Sequence, residues 1–489
     1  MENYKKDELI YEELKLPIFV NNSPAVSLTV HEGSEGSDSS VLVLPFSDAA
    51  KAAVLSGCSF LNIGDTRCGK SQLMRDIHEN YFGGDVDNGG KSTWNVARND
   101  FSSDAYFMTI NQDGVGEGKG MLSEARVPVE RRIKSLCNIV DEVNLAIPEV
   151  QVEFFGMAES RHKGLTLGDK GYNLFMASCN LNRINGDFAG TSQINRALLN
   201  RFGVTFDFDF FRKTDEDDDI LASRGAVDGV QLRDISEKII NAYQEISRKA
   251  SQKDPFIDAY IRFLSSGLEY CDKDKDKRKK KIWPAKCGSC NFPANNLCSM
   301  IKQSNTGTTQ TLKRFAHGLD FLAHLKQGNE ISIEPLDLIA ESFKFTTYHG
   351  NLNSSMTLSD YSGEDQEQMR DSLTKLKDSA GLVRTYMDGA IYNACEGNAE
   401  TRVIRIGDAT NPDLCIEMPY SDSAKAELDL ANQELKMKKK KQASYQIFDP
   451  FDRQACEDFA KKTGLRIDWF PSYIKSVADF YRTQPKTQD

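Results

Sequence analysis

Apolar positions along this chain gather into short runs that end in polar residues, and segments of helical spacing separate them. Ser59-Phe60-Leu61-Asn62-Ile63 predicts a short buried strand, and Gln72 to Ile77 predicts the start of a helix. Leu136 to Asp141, Tyr172 to Asn180 and Val204 to Phe210 predict three further strands, the last by strict alternation. Tyr106 to Ile110 reads as another. Asp48 to Ser56, Val127 to Ser135 and Ile194 to Phe202 read as helices, and Phe82 to Asp104 as a long polar loop. Strands that end in functional-looking loops, with helices between them, predict a parallel sheet wound on both faces. A ligand then belongs at the carboxyl ends of its strands.

The chemistry at those ends is specific. Gly64-Asp65-Thr66-Arg67-Cys68-Gly69-Lys70-Ser71 follows the first strand and opens the helix. It has the G-x-x-x-x-G-K-S spacing of a phosphate-binding loop. Glycine lets the backbone turn its N–H groups toward a phosphate. Lys70 is placed for the β- and γ-phosphates and Ser71 for Mg²⁺. The run Leu136-Cys137-Asn138-Ile139-Val140-Asp141-Glu142 ends in two acids, a Walker B pattern. Asp141 is then the second metal partner, and Glu142 lies where it can polarise an attacking water. Asn180, at the end of its strand, can hold that water or touch the γ-phosphate, or simply end the strand in a turn.

Outside this core, Val26 to Val30 and Val41 to Leu44 predict strands around the Gly/Ser-rich segment 32–40. Gly114 to Gly120 has glycine at alternate positions and reads as a mobile loop. The acidic run Asp215 to Asp219 reads as a solvated helix start. Ser359 to Ser379 and Ala424 to Lys441 are helical in pattern, and Thr401 to Ile406 with Leu414 to Met418 reads as a hairpin. The last segment, Phe451 to Tyr481, is rich in aromatic residues and offers no catalytic grouping.

Composition narrows the class. The 489 residues are 39% hydrophobic and 27% charged, an ordinary globular balance that suggests several domains. No run of about 18 apolar residues occurs, so no membrane span is expected. The N-terminus lacks an apolar stretch and does not read as a secretory signal. The formal charge of −11 argues against a wholly basic nucleic-acid footprint, though not against a local basic channel. Eleven cysteines, with Cys58, Cys137 and Cys179 in expected core strands, fit free thiols in a reducing cytoplasm. Cys271, Cys287, Cys290 and Cys298 can supply four thiolates to a structural Zn²⁺, or stand as reduced cysteines in an insertion. The adjacent run Asp272 to Lys281 reads as a solvated linker.

The segment Asp141-Glu142-Val143-Asn144-Leu145-Ala146-Ile147-Pro148-Glu149-Val150-Gln151, followed by Phe154-Phe155-Gly156-Met157-Ala158-Glu159, resembles the motif run of MoxR-type AAA+ ATPases. In that resemblance Asn180 matches the first sensor. Ala197-Leu198-Leu199-Asn200-Arg201-Phe202 matches the element whose arginine acts on a neighbouring subunit's nucleotide. Ser160 to Tyr172 matches the small hairpin inserted before the sensor strand, with Gly168-Asp169 as candidate turn. Thr306 to Leu325 resembles the second sensor helix. Gln310 stands where the family usually has arginine, so that Lys313 or Arg314 substitutes as a nucleotide contact or that sensor is weak. Ile331 to Leu338 resembles the closing helix start.

The resemblance covers roughly residues 45–345. It implies an α/β AAA+ P-loop core with helices on both faces of a parallel sheet, an α-helical lid and a mixed α/β C-terminal region. The expected division is an N-terminal β-rich extension (1–45), the core (46–212), the lid (213–348) and a region without assigned role (349–489). It implies ATP and Mg²⁺ as cofactors and a cytoplasmic ring of subunits, taken as a hexamer. Such a ring remodels a protein partner, for example one carrying a von Willebrand A domain. The alternatives are a nucleic-acid motor, with Arg161, His162 and Lys163 facing the strand, and a nucleotide-gated scaffold that barely hydrolyses.

Overall fold

The computed structural model describes residues 9–32, 39–103, 108–110, 126–128, 130–162, 164–180, 194–223, 232–252, 257, 260–261, 300–301, 306–327, 331–346 and 367–377, with short pieces between 403 and 448. The chain divides into two compact units, residues 1–252 with 310–349, and residues 253–309 with 350–489. The N-terminal strands belong to the first of these units.

The first unit is built on a parallel five-stranded sheet. Its strands are β3 (Phe60–Gly64), β4 (Ser92–Val96), β7 (Cys137–Asp141), β10 (Leu174–Asn180) and β11 (Val204–Asp207), in the order β11-β3-β10-β7-β4. Strands β3 and β11 are buried throughout, as expected of a sheet covered on both faces. The supporting helices include α1 (Phe46–Leu55) and α2 (Lys70–Tyr81). A run of aromatic contacts joins the layers. Phe46 of α1 meets Phe206 of β11 with ring centroids 5.4 Å apart, and Phe206 meets Phe345 at 5.6 Å. Each such pair contributes about 0.5–1.5 kcal/mol beyond its buried area.

Strand β4 lies inside the segment that reads as a loop from sequence. Its composition, Ser-Thr-Trp-Asn-Val, hides it. Its two buried hydroxyls are satisfied by neighbours. Ser92 donates to Gly84 O at 2.8 Å, and Thr93 donates to Asn138 Oδ1 of β7 at 3.0 Å. The expected strand 106–110 does not join this sheet. Its described part, β5 (Met108–Ile110), pairs antiparallel with β6 (Arg126–Pro128) as a separate ribbon. The start of the expected helix 127–135 is therefore strand, and helix covers only Glu130–Ile133.

The N-terminal strands β1 (Pro24–Glu32) and β2 (Ser39–Pro45) form an antiparallel sheet with β12 (Ile331–Ile333). Strand β12 covers only the far end of β1. The remaining edge is capped by α7 (Pro335–Thr346), where Asp337 and Glu341 accept the N–H groups of Thr29 and Ser27. An otherwise open strand edge is closed by side chains.

A small antiparallel hairpin, β8 (Arg161–His162) and β9 (Leu165–Thr166), stands where one was expected. Its strands join between His162 and Leu165, before Gly168-Asp169. The latter leads to a second tight turn at Lys170-Gly171, where φ is 49° and 81°. Gly168 is required for packing instead, since a Cβ there would sit 1.9 Å from Tyr172 O. The expected helix 194–202 is a single turn, α3 (Arg196–Leu199). The lid-like helices of this unit are α4 (Asp215–Ser223), α5 (Ser236–Ser251) and most of α6 (Thr306–Gln327).

In the second unit β13 (Val403–Gly407) and β14 (Cys415–Pro419) form the expected hairpin, and β15 (Tyr445–Phe448) adds a third strand. A helix covers 367–377. Among the described residues no helix is long and apolar enough to cross a membrane. Cys58, Cys137 and Cys179 are free and buried, and Cys68 is free and partly exposed.

Candidate nucleotide site

Strand β3 delivers the glycine loop to the sheet's carboxyl edge. Gly64 has φ +143° and Gly69, the residue before α2, has φ +103°. A Cβ on Gly64 would lie 3.0 Å from Phe208 Cβ, so the loop is pressed against the end of β11. Between the glycines the loop curls around Lys70. This side chain donates to Gly64 O at 3.0 Å, to Asp65 O, and to Cys68 Sγ at 3.4 Å. Lys70 is only 5% exposed and forms no ion pair among the described residues. A nearly buried ammonium on neutral partners is a site for an anion. Burial pushes the Cys68 thiol up against the pull of Lys70, so Cys68 stays neutral and adds no repulsion to a phosphate.

Strand β10 separates β3 from β7 and carries Asn180 between the loop and the acids. Asn180 is the register partner of Gly64. Ser71 of α2 donates to Asp141 Oδ1 at 3.1 Å. Asn180 Nδ2 donates to Glu142 Oε1 at 3.2 Å. Glu142 itself adopts a left-handed backbone, φ 54° and ψ 50°, which is costly for a residue with a Cβ. Gly64 to Ser71, Asp141, Glu142 and Asn180 thus come together as the sequence suggests.

Arg314, expected as a nucleotide contact, does not join them, and Arg201, expected to act on a neighbouring subunit, stands apart from them. Arg314 is buried at the other end of β3, where it donates to Gly57 O at 3.5 Å beside Cys58 and Tyr243. The strand alone spans on the order of 15 Å, beyond the reach of an arginine to the phosphate loop. Arg314 is therefore a packing residue and not a nucleotide contact. Arg314→Met is expected to lower thermal stability while nucleotide affinity, measured by fluorescence titration, stays at the wild-type value. Lys313 binds Gln252 O, and Gln310 is exposed. Arg201 lies after α3, donates to Glu159 Oε1 at 2.6 Å and to Ala197 O at 2.8 Å, and stacks 4.0 Å over the Phe155 ring. Within its own chain it contacts none of the four groups above.

Several participants escape the sequence reading. Asn144 exchanges bonds with Asn180, its Nδ2 donating to Asn180 O at 3.0 Å. Ser178 bonds both Asp141 and Glu142. Asp209 accepts from Asp65 N at 3.2 Å. Asn144 stands in the segment that continues from the Walker B acids and carries the resemblance, so a signal existed, whereas Ser178 looks like an ordinary strand residue. Asp76 of α2 accepts the N–H groups of Ile18 and Phe19 at 2.8 and 2.7 Å, fastening the N-terminal segment to the P-loop helix.

A glycine loop after the first strand, a sensor strand inserted beside it and Walker B acids on the next strand form one architecture. The core is a parallel α/β fold with the phosphate loop and the paired acids at one edge of its sheet. No family model matches the sequence, and no curated protein matches it. Among solved structures, the chain is similar to a presumed ATPase from Cytophaga hutchinsonii, at 15% identity and TM-score 0.46, over 67% of this chain and 88% of that one. It is also similar to a full-length MCM homolog from Methanopyrus kandleri, at 8% identity and TM-score 0.33, over 68% of this chain and 55% of that one. Neither likeness bears on function.

The residues present fit ATP and Mg²⁺. The Lys70 ammonium needs an anion, and the Ser71 hydroxyl with the Asp141 carboxylate offers the hard oxygen donors that Mg²⁺ takes. Among the described residues no cluster of His, Cys, Asp and Glu would hold a metal through three or more ligands. Cys271, Cys287, Cys290 and Cys298, the candidate Zn²⁺ ligands, lie outside the described residues.

Proposed function

We propose that this protein is an AAA+ ATPase that couples ATP hydrolysis in a ring of subunits to remodelling of a protein partner. The observation that carries this reading is the nearly buried Lys70, held only by loop carbonyls and a thiol, beside the Ser71–Asp141 and Glu142–Asn180 pairs. Lys70 exchanges the carbonyls for phosphate oxygens. When bound, Mg²⁺ supplies charge neutralisation at the transferred phosphoryl group, held by Ser71 and Asp141. Glu142 takes the proton of the attacking water, and Asn180 orients the Glu142 carboxylate. Arg201 of a neighbouring subunit supplies positive charge to the transferred group after leaving Glu159.

The test is ATP hydrolysis by the full chain across protein concentration. Specific activity is expected to rise with concentration as rings assemble. Arg201→Ala is expected to lower turnover by about a thousandfold without loss of nucleotide binding. Turnover that is independent of both would sink the shared-site reading.

A second reading, a nucleic-acid motor, is favoured by exposed Arg161 on the hairpin. It is weakened by His162, which is 5% exposed and cannot face a strand as expected. Lys163 lies outside the described residues. ATPase stimulation by single-stranded or duplex DNA that falls steeply with salt would favour the motor. No stimulation at low salt would favour protein remodelling.

A further inference from the structure

We propose that Ser178 is a positioning residue that locks the metal-binding and water-activating carboxylates of β7 into one register; this rests on the ATPase reading above. Ser178 is 1% exposed and lies on β10, one residue beyond the pairing of Ala177 with Val140. Its hydroxyl donates to Asp141 Oδ1 and accepts the N–H of Glu142 at 2.8 Å. The hydroxyl's single hydrogen and one of its lone pairs are thus used on consecutive acidic residues.

Asp141 Oδ1 takes a second hydrogen bond from Ser71. Ser71 is also the hydroxyl that would ligate Mg²⁺ through a lone pair, so its orientation would be shared between the metal and Asp141. The Ser178 hydroxyl has no metal to serve, and both of its hydrogen bonds go to the two acids. It orients Asp141 and leaves the carboxylate's other oxygen free. The same hydroxyl explains how Glu142 keeps its left-handed backbone. The Glu142 N–H is fixed by Ser178 and the Glu142 side chain by Asn180, so the residue is held at both ends. Asn144, bonded twice to Asn180, ties the end of β10 to the turn after β7 and completes the frame.

Without the Ser178 hydroxyl, Asp141 gains rotational freedom and Glu142 loses the partner of its N–H. The phosphate loop is untouched. The consequence is a defect in metal affinity and turnover with metal-free nucleotide binding preserved. Threonine presents an oxygen at the same branch and suits a strand, so it should restore function.

The experiment uses the full chain as wild type, Ser178→Ala and Ser178→Thr. Fluorescent ATP-analogue affinity is measured in EDTA, Mn²⁺ affinity of the nucleotide-bound protein by electron paramagnetic resonance, and turnover with Mg²⁺. Ser178→Ala is expected to bind nucleotide in EDTA as wild type does. It should bind Mn²⁺ about tenfold more weakly or worse and turn over more slowly, with both defects repaired in Ser178→Thr. Wild-type Mn²⁺ affinity in Ser178→Ala would overturn the inference. So would a defect that threonine does not repair, or loss of metal-free nucleotide binding, because the hydroxyl would then serve the fold. Failure of the wild type itself to bind or hydrolyse ATP would instead overturn the ATPase reading.

Discussion

Glu142→Gln is expected to bind ATP with wild-type affinity and to hydrolyse it 10²- to 10⁴-fold more slowly, the usual contribution of a positioned general base. That range is roughly 3–5 kcal/mol of barrier. The amide keeps the side chain's shape and can still accept the bond from Asn180 Nδ2 at its oxygen. It cannot take a proton from water. Affinity should hold because the proposed phosphate and metal contacts, Lys70, Ser71 and Asp141, do not run through Glu142. Single-turnover hydrolysis and a separate binding titration divide the two effects. Wild-type turnover in the variant would remove Glu142 from the role of base. Weakened binding with normal turnover would mean that the left-handed turn at Glu142 shapes the loop rather than the chemistry.

The parts of this site that were legible in the sequence are those where local backbone chemistry dictates the residue. Gly64 and Gly69 are glycines because the loop turns through positive φ, and that signal is printed in the spacing. Asp141 and Asn180 are legible because apolar strands end there. Strand β4 was not, because its buried hydroxyls are satisfied inside the protein, Thr93 by Asn138 of the neighbouring strand and Ser92 by the loop at Gly84. Alternation of polarity cannot reveal a strand whose buried face is itself polar. Arg314 misled for a different reason. Adjacent residues of a helix point about 100° apart, and sequence alone does not tell which end of the sheet a lid helix crosses. The helix α6 crosses at Gly57 and the amino end of β3, with Gly318 packed on Ala52 O, where a Cβ would come within 2.8 Å. Ser178 was invisible because its partners are on another strand, set by a register that only the fold defines.

The N-terminal segment yields the largest stability prediction, because it is fastened by buried charge. Asp48 of α1 is fully buried. It pairs with Lys51 at 2.8 Å and with Lys326 of α6 at 2.9 Å, and accepts the Tyr11 hydroxyl at 2.8 Å. Burial pushes the Asp48 carboxyl up, and Lys51 and Lys326 outweigh it, so its folded value lies below the ordinary one. Burial, then Asp48, push the Tyr11 hydroxyl up, so it remains a donor. Asp48→Ala leaves two lysines facing each other without a counter-charge and is expected to cost about 3–5 kcal/mol. The stabilisation from Asp48 is complete above its unfolded value, about 3.9, and is lost as pH falls through the lower folded value. Urea unfolding at pH 7 and in acid should therefore show a large difference between wild type and variant at neutral pH and a smaller one in acid. An equal difference at both would mean that packing, not charge, holds the strap. Function is coupled to the same segment. Tyr11 lies upstream of Ile18 and Phe19, whose N–H groups rest on Asp76 of the P-loop helix, and Phe19 also packs against Phe208 beside the loop. A loosened strap should therefore weaken nucleotide binding as well, and Asp76→Asn, which removes the charge but not the shape, should reproduce that loss with less effect on global stability.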